Sequence, residues 1–90
     1  MTGPAIARMW EARLHDGQLE AGINWARDIL VPSATDAGAT SAEVFYSTEP
    51  EPRIVVITRW ESAAAWQEPE ADPQLVARAH AWPFYRVSSF

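Results

Sequence analysis

The chain contains no cysteine in its 90 residues. Disulfides, thiolate nucleophiles and cysteine-based metal or iron–sulfur sites are thereby excluded. Lysine is missing too: all seven basic side chains are arginine, scattered along the sequence. A formal charge of −5 with no basic cluster argues against a nucleic-acid or anionic-membrane partner. No apolar run approaches membrane-spanning length. The opening MTGPAIARMW has no basic segment ahead of an apolar one, so it does not read as a signal peptide. A cytoplasmic location is the expectation. Motifs for phosphate binding, nucleotide binding or a nucleophilic triad are also missing. The two histidines lack suitably spaced carboxylates, so neither a metal site nor another cofactor is expected.

What the chain does have is tryptophan, five of them. An indole is a large apolar body with one polar handle, so this abundance suggests an aromatic-lined cavity or interface. Two of the five flank the stretch around which the rest is organised, Arg53–Trp66. Ile54, Val55, Val56 and Ile57 are consecutive β-branched residues with no polar alternation, as in a central strand buried on both faces. Trp60 closes it. Ser62 is placed to cap a following short helix, Ser62–Glu68, that carries Trp66 and breaks at Pro69.

Upstream, Ala5–Leu14 alternates and predicts a strand, with Ile6, Arg8, Trp10, Ala12 and Leu14 on one face. His15-Asp16-Gly17 is the turn out of it, with Asp16 a candidate cap. Leu19, Ile23, Ala26 and Leu30 then keep helical spacing, predicting a helix over Gly17–Val31 that Pro32 ends. Ser33–Thr40 reads as a loop and Ser41–Thr48 as a strand around Val44-Phe45-Tyr46. Glu49-Pro50-Glu51-Pro52 is a turn. Downstream, Asp72-Pro73 has helix-starting chemistry, and Leu75, Ala79 and Trp82 make a stripe ended by Pro83. Phe84–Phe90 is read as the last strand.

The resulting order, β-α-β-β-α-β, is the split βαβ pattern of α+β, ferredoxin-like folds: a four-stranded antiparallel sheet with helices on one face. A central strand apolar on both faces needs a cover on the second face. The chain is too short to supply one, so a homodimer through that face is expected.

Trp60-Glu61-Ser62, then Trp66 and Ala71-Asp72-Pro73, together with the Ile6–Trp10 run IARMW, resemble the antibiotic biosynthesis monooxygenase family. By element order the resemblance spans residues 1–90 as a single domain. It implies a dimeric α+β barrel and a range of activities: cofactor-independent oxygenation of aromatic polyketides, haem degradation, or none. Related barrels include polyketide cyclases. In the quinone-forming members the pocket holds an Asn and a Trp on the third strand, an aromatic in the next helix and an Arg in the last. Trp60 matches the Trp, Trp66 stands for the aromatic and Arg78 lies near the Arg, while Val56 falls near the Asn. In the haem degraders a His ends the last helix, and His80 matches it. Trp10 replaces their strand Asn and Pro69 their second Trp, so haem turnover is not expected.

The candidate catalytic groups are therefore His80 and Arg8. An imidazole at a helix end can serve as a base near neutral pH, or simply meet free carbonyls and the helix dipole. An Arg on an apolar strand face must find an acceptor, either a ligand enolate or carboxylate or an internal acid such as Glu61. Trp10, Trp60 and Trp66 can stack on a flat ligand or fill core. Arg78, Tyr46 and Tyr85 are further candidates for ligand contact, with structural roles as the alternative. His15, Asn24, Trp25 and Trp82 read as surface or packing. A cofactor-independent oxygenase needs a base to make an electron-rich carbanion and a cation to hold its oxyanion. The same parts serve a cyclase, or a protein that only binds a small aromatic molecule.

Overall fold

A computed structural model of the protein describes residues 5–62 and 66–90. Its strands are β1 (Ile6–Leu14), β2 (Ser41–Ser47), β3 (Arg53–Trp60) and β4 (Val76–Tyr85). All pairings are antiparallel, in the spatial order β2-β3-β1-β4. The first and third strands are central, as in ferredoxin-like folds. Register follows the pleat: Ile6 lies opposite Trp60, Trp10 opposite Val56 and Ala12 opposite Ile54. These six side chains, with Leu14, are buried against the helical segment through Ala26, Leu30 and Ala34.

That segment comprises α1 (Leu19–Trp25), a π-helical turn (Ala26–Leu30) and α2 (Val31–Asp36). The expectation that Pro32 would end the helix is corrected, since α2 continues to Asp36 and only residues 37–40 form the loop. A proline lacks the N–H and its ring crowds the carbonyl one turn back. The turn just before Pro32 is the wide π form, in which the Val31 N–H reaches Ala26 O, five residues back, and the looser winding accommodates the ring. Asp16 does not cap the helix. Gly17 adopts φ 79°, and Gln18 is the N-cap without a side-chain hydrogen bond.

Gly22 is required by close approach. A Cβ there would lie 2.7 Å from Leu14 Cδ1, and Leu14 is itself buried. Gly22→Val is expected to cost about 2 kcal/mol through overpacking, read as a lower urea midpoint at unchanged slope.

The larger correction is at the C-terminal third. The helix expected over residues 72–82 is a single turn followed by β4. Asp72 does cap that turn: its Oδ1 accepts from the Gln74 N–H at 2.8 Å, and its carbonyl from Leu75 and Val76. The chain then extends, because Ala79, Ala81 and Pro83 alternate with Arg78, His80, Trp82 and Phe84 in register with β1. Phe84 and Tyr85 end β4 instead of starting a strand to residue 90. The short helix expected over Ser62–Glu68 falls partly on residues 63–65, outside the described residues. Its remaining part, residues 66–68, is irregular. An irregular stretch, 66–72, and one turn therefore lead into β4 in place of the two expected helices.

β3 was expected to be buried on both faces. Within one chain it is buried on one: Ile54, Val56, Thr58 and Trp60 face the helix, whereas Val55 and Ile57 are half-covered. On that second face the register sets Met9 between Ile57 and Trp82, with Val55, Phe45 and Phe84 around them. Phe45 and Phe84 are 47% and 46% exposed.

Candidate functional site

Strand alternation brings Arg8 onto the helix side of β1, between Ile6 and Trp10 and opposite Thr58. A guanidinium on so apolar a face needs an acceptor, and Glu68 from the irregular stretch supplies it. Arg8 Nε donates to Glu68 Oε2 at 2.6 Å and Nη2 to Oε1 at 2.8 Å. The pair is a two-pronged fork, the strongest geometry open to these groups. The Arg8 side chain is 22% exposed and that of Glu68 8%. The hydrogen bond to Glu68 holds Arg8 above its ordinary pKa, against the opposing effect of burial. Arg8 is thus a fixed cation throughout the working pH range.

Two cavities share Arg8 as a wall. A groove of about 430 Å³ runs between residues 67–73 and strands β1 and β4, with Arg8, Trp10, Glu68, Pro69, Ala79 and Ala81 in its wall. A smaller cavity of about 120 Å³ is walled by Ile6, Arg8, Trp60, Trp66, Pro83 and Tyr85. Alanine at positions 79 and 81 opens the groove, since only methyl groups rise from this part of β4 on that side.

The aromatic walls are held by their own polar handles. Trp60 Nε1–H donates to Thr58 Oγ1 at 3.0 Å, and Trp66 Nε1–H to Ser33 Oγ at 3.1 Å. Their rings lie 5.3 Å apart, tilted by 37°. Trp10 leans on Trp25 at 5.4 Å. With both N–H groups of the Trp60–Trp66 pair taken internally, these indoles offer a ligand apolar surface and not hydrogen bonds.

Of the residues singled out in the sequence, the structure gathers Arg8, Trp10, Trp60, Trp66 and Tyr85 around the two cavities. Tyr46 stands on edge strand β2, away from them. Arg78 lies in register with Arg13, on the opposite face of the sheet. His80 is not at a helix end. It borders the groove where β4 forms the sheet edge, but alternation sends its ring to the far face. There the imidazole stands edge-on to Trp82 at 6.4 Å. Glu68 was not singled out in the sequence. The only signal for it was the unmet need of Arg8 for an acid. Among the described residues, no three His, Asp or Glu converge as a metal ion would require.

An antiparallel sheet in this order, with a helical layer on one face and a groove beneath an irregular strap, defines a ferredoxin-like α+β domain with a helix-side pocket. The family model for antibiotic biosynthesis monooxygenases matches residues 5–79, and the chain belongs to that family. A solved structure from Bacillus cereus, described as a candidate antibiotic biosynthesis monooxygenase, is similar over 98% of both chains, with a TM-score of 0.69 and 18% identity. That likeness is one of fold. No curated protein matches the chain. No helix among the described residues is long and apolar enough to cross a membrane.

Proposed function

We propose that this single domain, residues 1–90, is a cofactor-independent monooxygenase-like enzyme of the cytoplasm. Its substrate would be a hydroxylated aromatic, polyketide-type small molecule held in the helix-side groove. The carrying observation is the Arg8 guanidinium, fixed on an apolar, tryptophan-walled face beside a groove of about 430 Å³. Apolar pockets with one or two well-placed polar groups are the usual small-molecule sites. A flat ring lies against Trp10 or the Trp60–Trp66 pair, and its phenolate or enolate oxygen meets Arg8. Holding that oxygen as an anion enriches the ring in electrons, and the guanidinium stabilises the charge that persists as O2 adds. The balance closes without another reductant. A ring C–H and a phenolic O–H are lost, one oxygen atom becomes the new carbonyl, and the other leaves as water.

An oxygen electrode with a panel of hydroxynaphthalenes and hydroxyanthracenes tests this. One O2 should be consumed per quinone formed, and Arg8→Gln should lower kcat/KM roughly a hundredfold, the scale of a lost oxyanion donor. No oxygen uptake across the panel would overturn the oxygenase reading.

The position of the His80 ring favours a second reading. With that imidazole on the far face, His80 borders the groove without presenting its ring as a base, as suits a non-catalytic small-molecule-binding dimer; a cyclase of the same fold would need its base elsewhere. Tight binding without oxygen uptake would mark such a protein.

The homodimer is part of the proposal. Proteins of this family are typically dimers, and the Met9, Val55 and Ile57 face has no cover among the described residues.

A further inference from the structure

Glu68 holds the place at Arg8 that a ligand anion would take. Its two oxygens present a planar, two-pronged acceptor to Nε and Nη2 at 2.6 and 2.8 Å. It comes from an irregular stretch with Pro69 beside it and no helix or strand pairing to anchor it. Arg8 walls both the groove and the smaller cavity, and Glu68 walls the groove. A ligand anion that takes the Nε–Nη2 edge of Arg8 must therefore replace Glu68 there.

We propose, resting on the aromatic-pocket reading above, that the ligand class is a planar aromatic anion with two oxygens in carboxylate-like spacing, and that Glu68 is its built-in competitor for Arg8. A carboxylate or a paired hydroxy-ketone enolate reproduces both prongs of the fork and loses none of the charge-assisted bonding. A neutral aromatic cannot do so: displacing Glu68 would leave Arg8 without an acceptor in a largely desolvated place. Neutral ligands are thus confined to the open groove, and selectivity for anions arises from an exchange of acceptors. Glu68 sets that selectivity without touching the bound ligand, which makes it a specificity-determining residue.

The test compares 2-naphthoate with 2-methoxynaphthalene by isothermal titration calorimetry on wild type, Glu68→Gln and Arg8→Gln. Removing the competitor should tighten 2-naphthoate by about tenfold, the scale of one charge-assisted hydrogen bond, and move 2-methoxynaphthalene by less than about twofold. Arg8→Gln should abolish the preference for the anion. Binding of 2-methoxynaphthalene with no gain for 2-naphthoate in Glu68→Gln overturns the competitor and leaves the pocket standing. No binding of either probe to any of the three chains overturns the pocket itself, and the competitor with it. If Glu68→Gln does not fold, judged by circular dichroism, the wild type decides by limited proteolysis with a glutamate-specific protease. Bound 2-naphthoate should then speed cleavage after Glu70, on the same strap and followed by Ala71, at least about twofold, as a freed strap predicts. Unchanged or slowed cleavage would overturn the proposal.

Discussion

Ile57→Asp is expected to convert a particle of twice the chain mass into one of the chain mass, as measured by sedimentation at micromolar concentration. Ile57 sits at the middle of the uncovered sheet face, opposite Met9 across the strand pair and with Val55 two residues away. Trp82 and Phe84 lie beyond Met9 on β4, and Phe45 beyond Val55 on β2. One end of the same face is ionic. Glu51 bridges Arg13 at 3.2 Å and Arg53 at 2.7 Å, and Glu11 reaches Arg53 at 3.3 Å. An apolar centre with a polar rim is the anatomy of an interface. A carboxylate buried there without a partner costs on the order of 4 kcal/mol, about a thousandfold in dissociation constant. The fold should survive, because in the single chain Ile57 is only half-covered. A wild-type chain that sediments as a stable monomer, or an aspartate variant that stays dimeric, would remove the sheet-face dimer.

Trp60→Ala is expected to have the largest effect on stability, lowering the melting temperature by roughly 20 °C. Trp60 is buried with Ile6 and Ala34, and Trp66 packs on it. Its N–H also serves the buried Thr58 hydroxyl. Truncation opens a cavity, leaves that hydroxyl short of its donor and removes one wall of the smaller cavity. A loss of about 4 kcal/mol follows, a large share of the stability of a domain this small. Trp60→Phe keeps most of the volume and should lose about 1–2 kcal/mol, chiefly the hydrogen bond. Equal melting curves for the two variants would show that packing around Trp60 does not carry the core.

Sequence patterns located three strands and most of the helix, because Ile6–Leu14 alternates, Leu19–Leu30 keeps helical spacing, and Val44–Tyr46 and Ile54–Ile57 are runs of β-branched or aromatic residues. They misjudged β4. Residues 77–82 read ARAHAW, three alanines alternating with larger side chains. Alanine's strong helix propensity points one way and the alternation another. Pairing with β1 settles the conflict, a tertiary effect that no local window contains. The displacement of His80 follows directly, since a helix end and a strand centre point the same residue in different directions. Arg8 was legible as a charge in need of an acceptor. Glu68 as that acceptor was not, because sixty residues separate the two and only the fold closes that distance.

The π-helical turn over Ala26–Leu30 bears on how insertions and deletions act in this chain. An α-helix turns about 100° per residue, so a wide turn that absorbs one extra residue resets the angular phase of everything after it. Upstream of the turn, Leu19 and Ile23 face the Trp10 cluster, while downstream Ala34 faces the Trp60 cluster and Ser33 meets Trp66. The rod is thus two half-helices cut to different phases, each fitted to its own tryptophan. Removing one residue from the turn would leave a straighter helix with better hydrogen bonds, and would rotate Ser33 and Ala34 away from the indoles they serve.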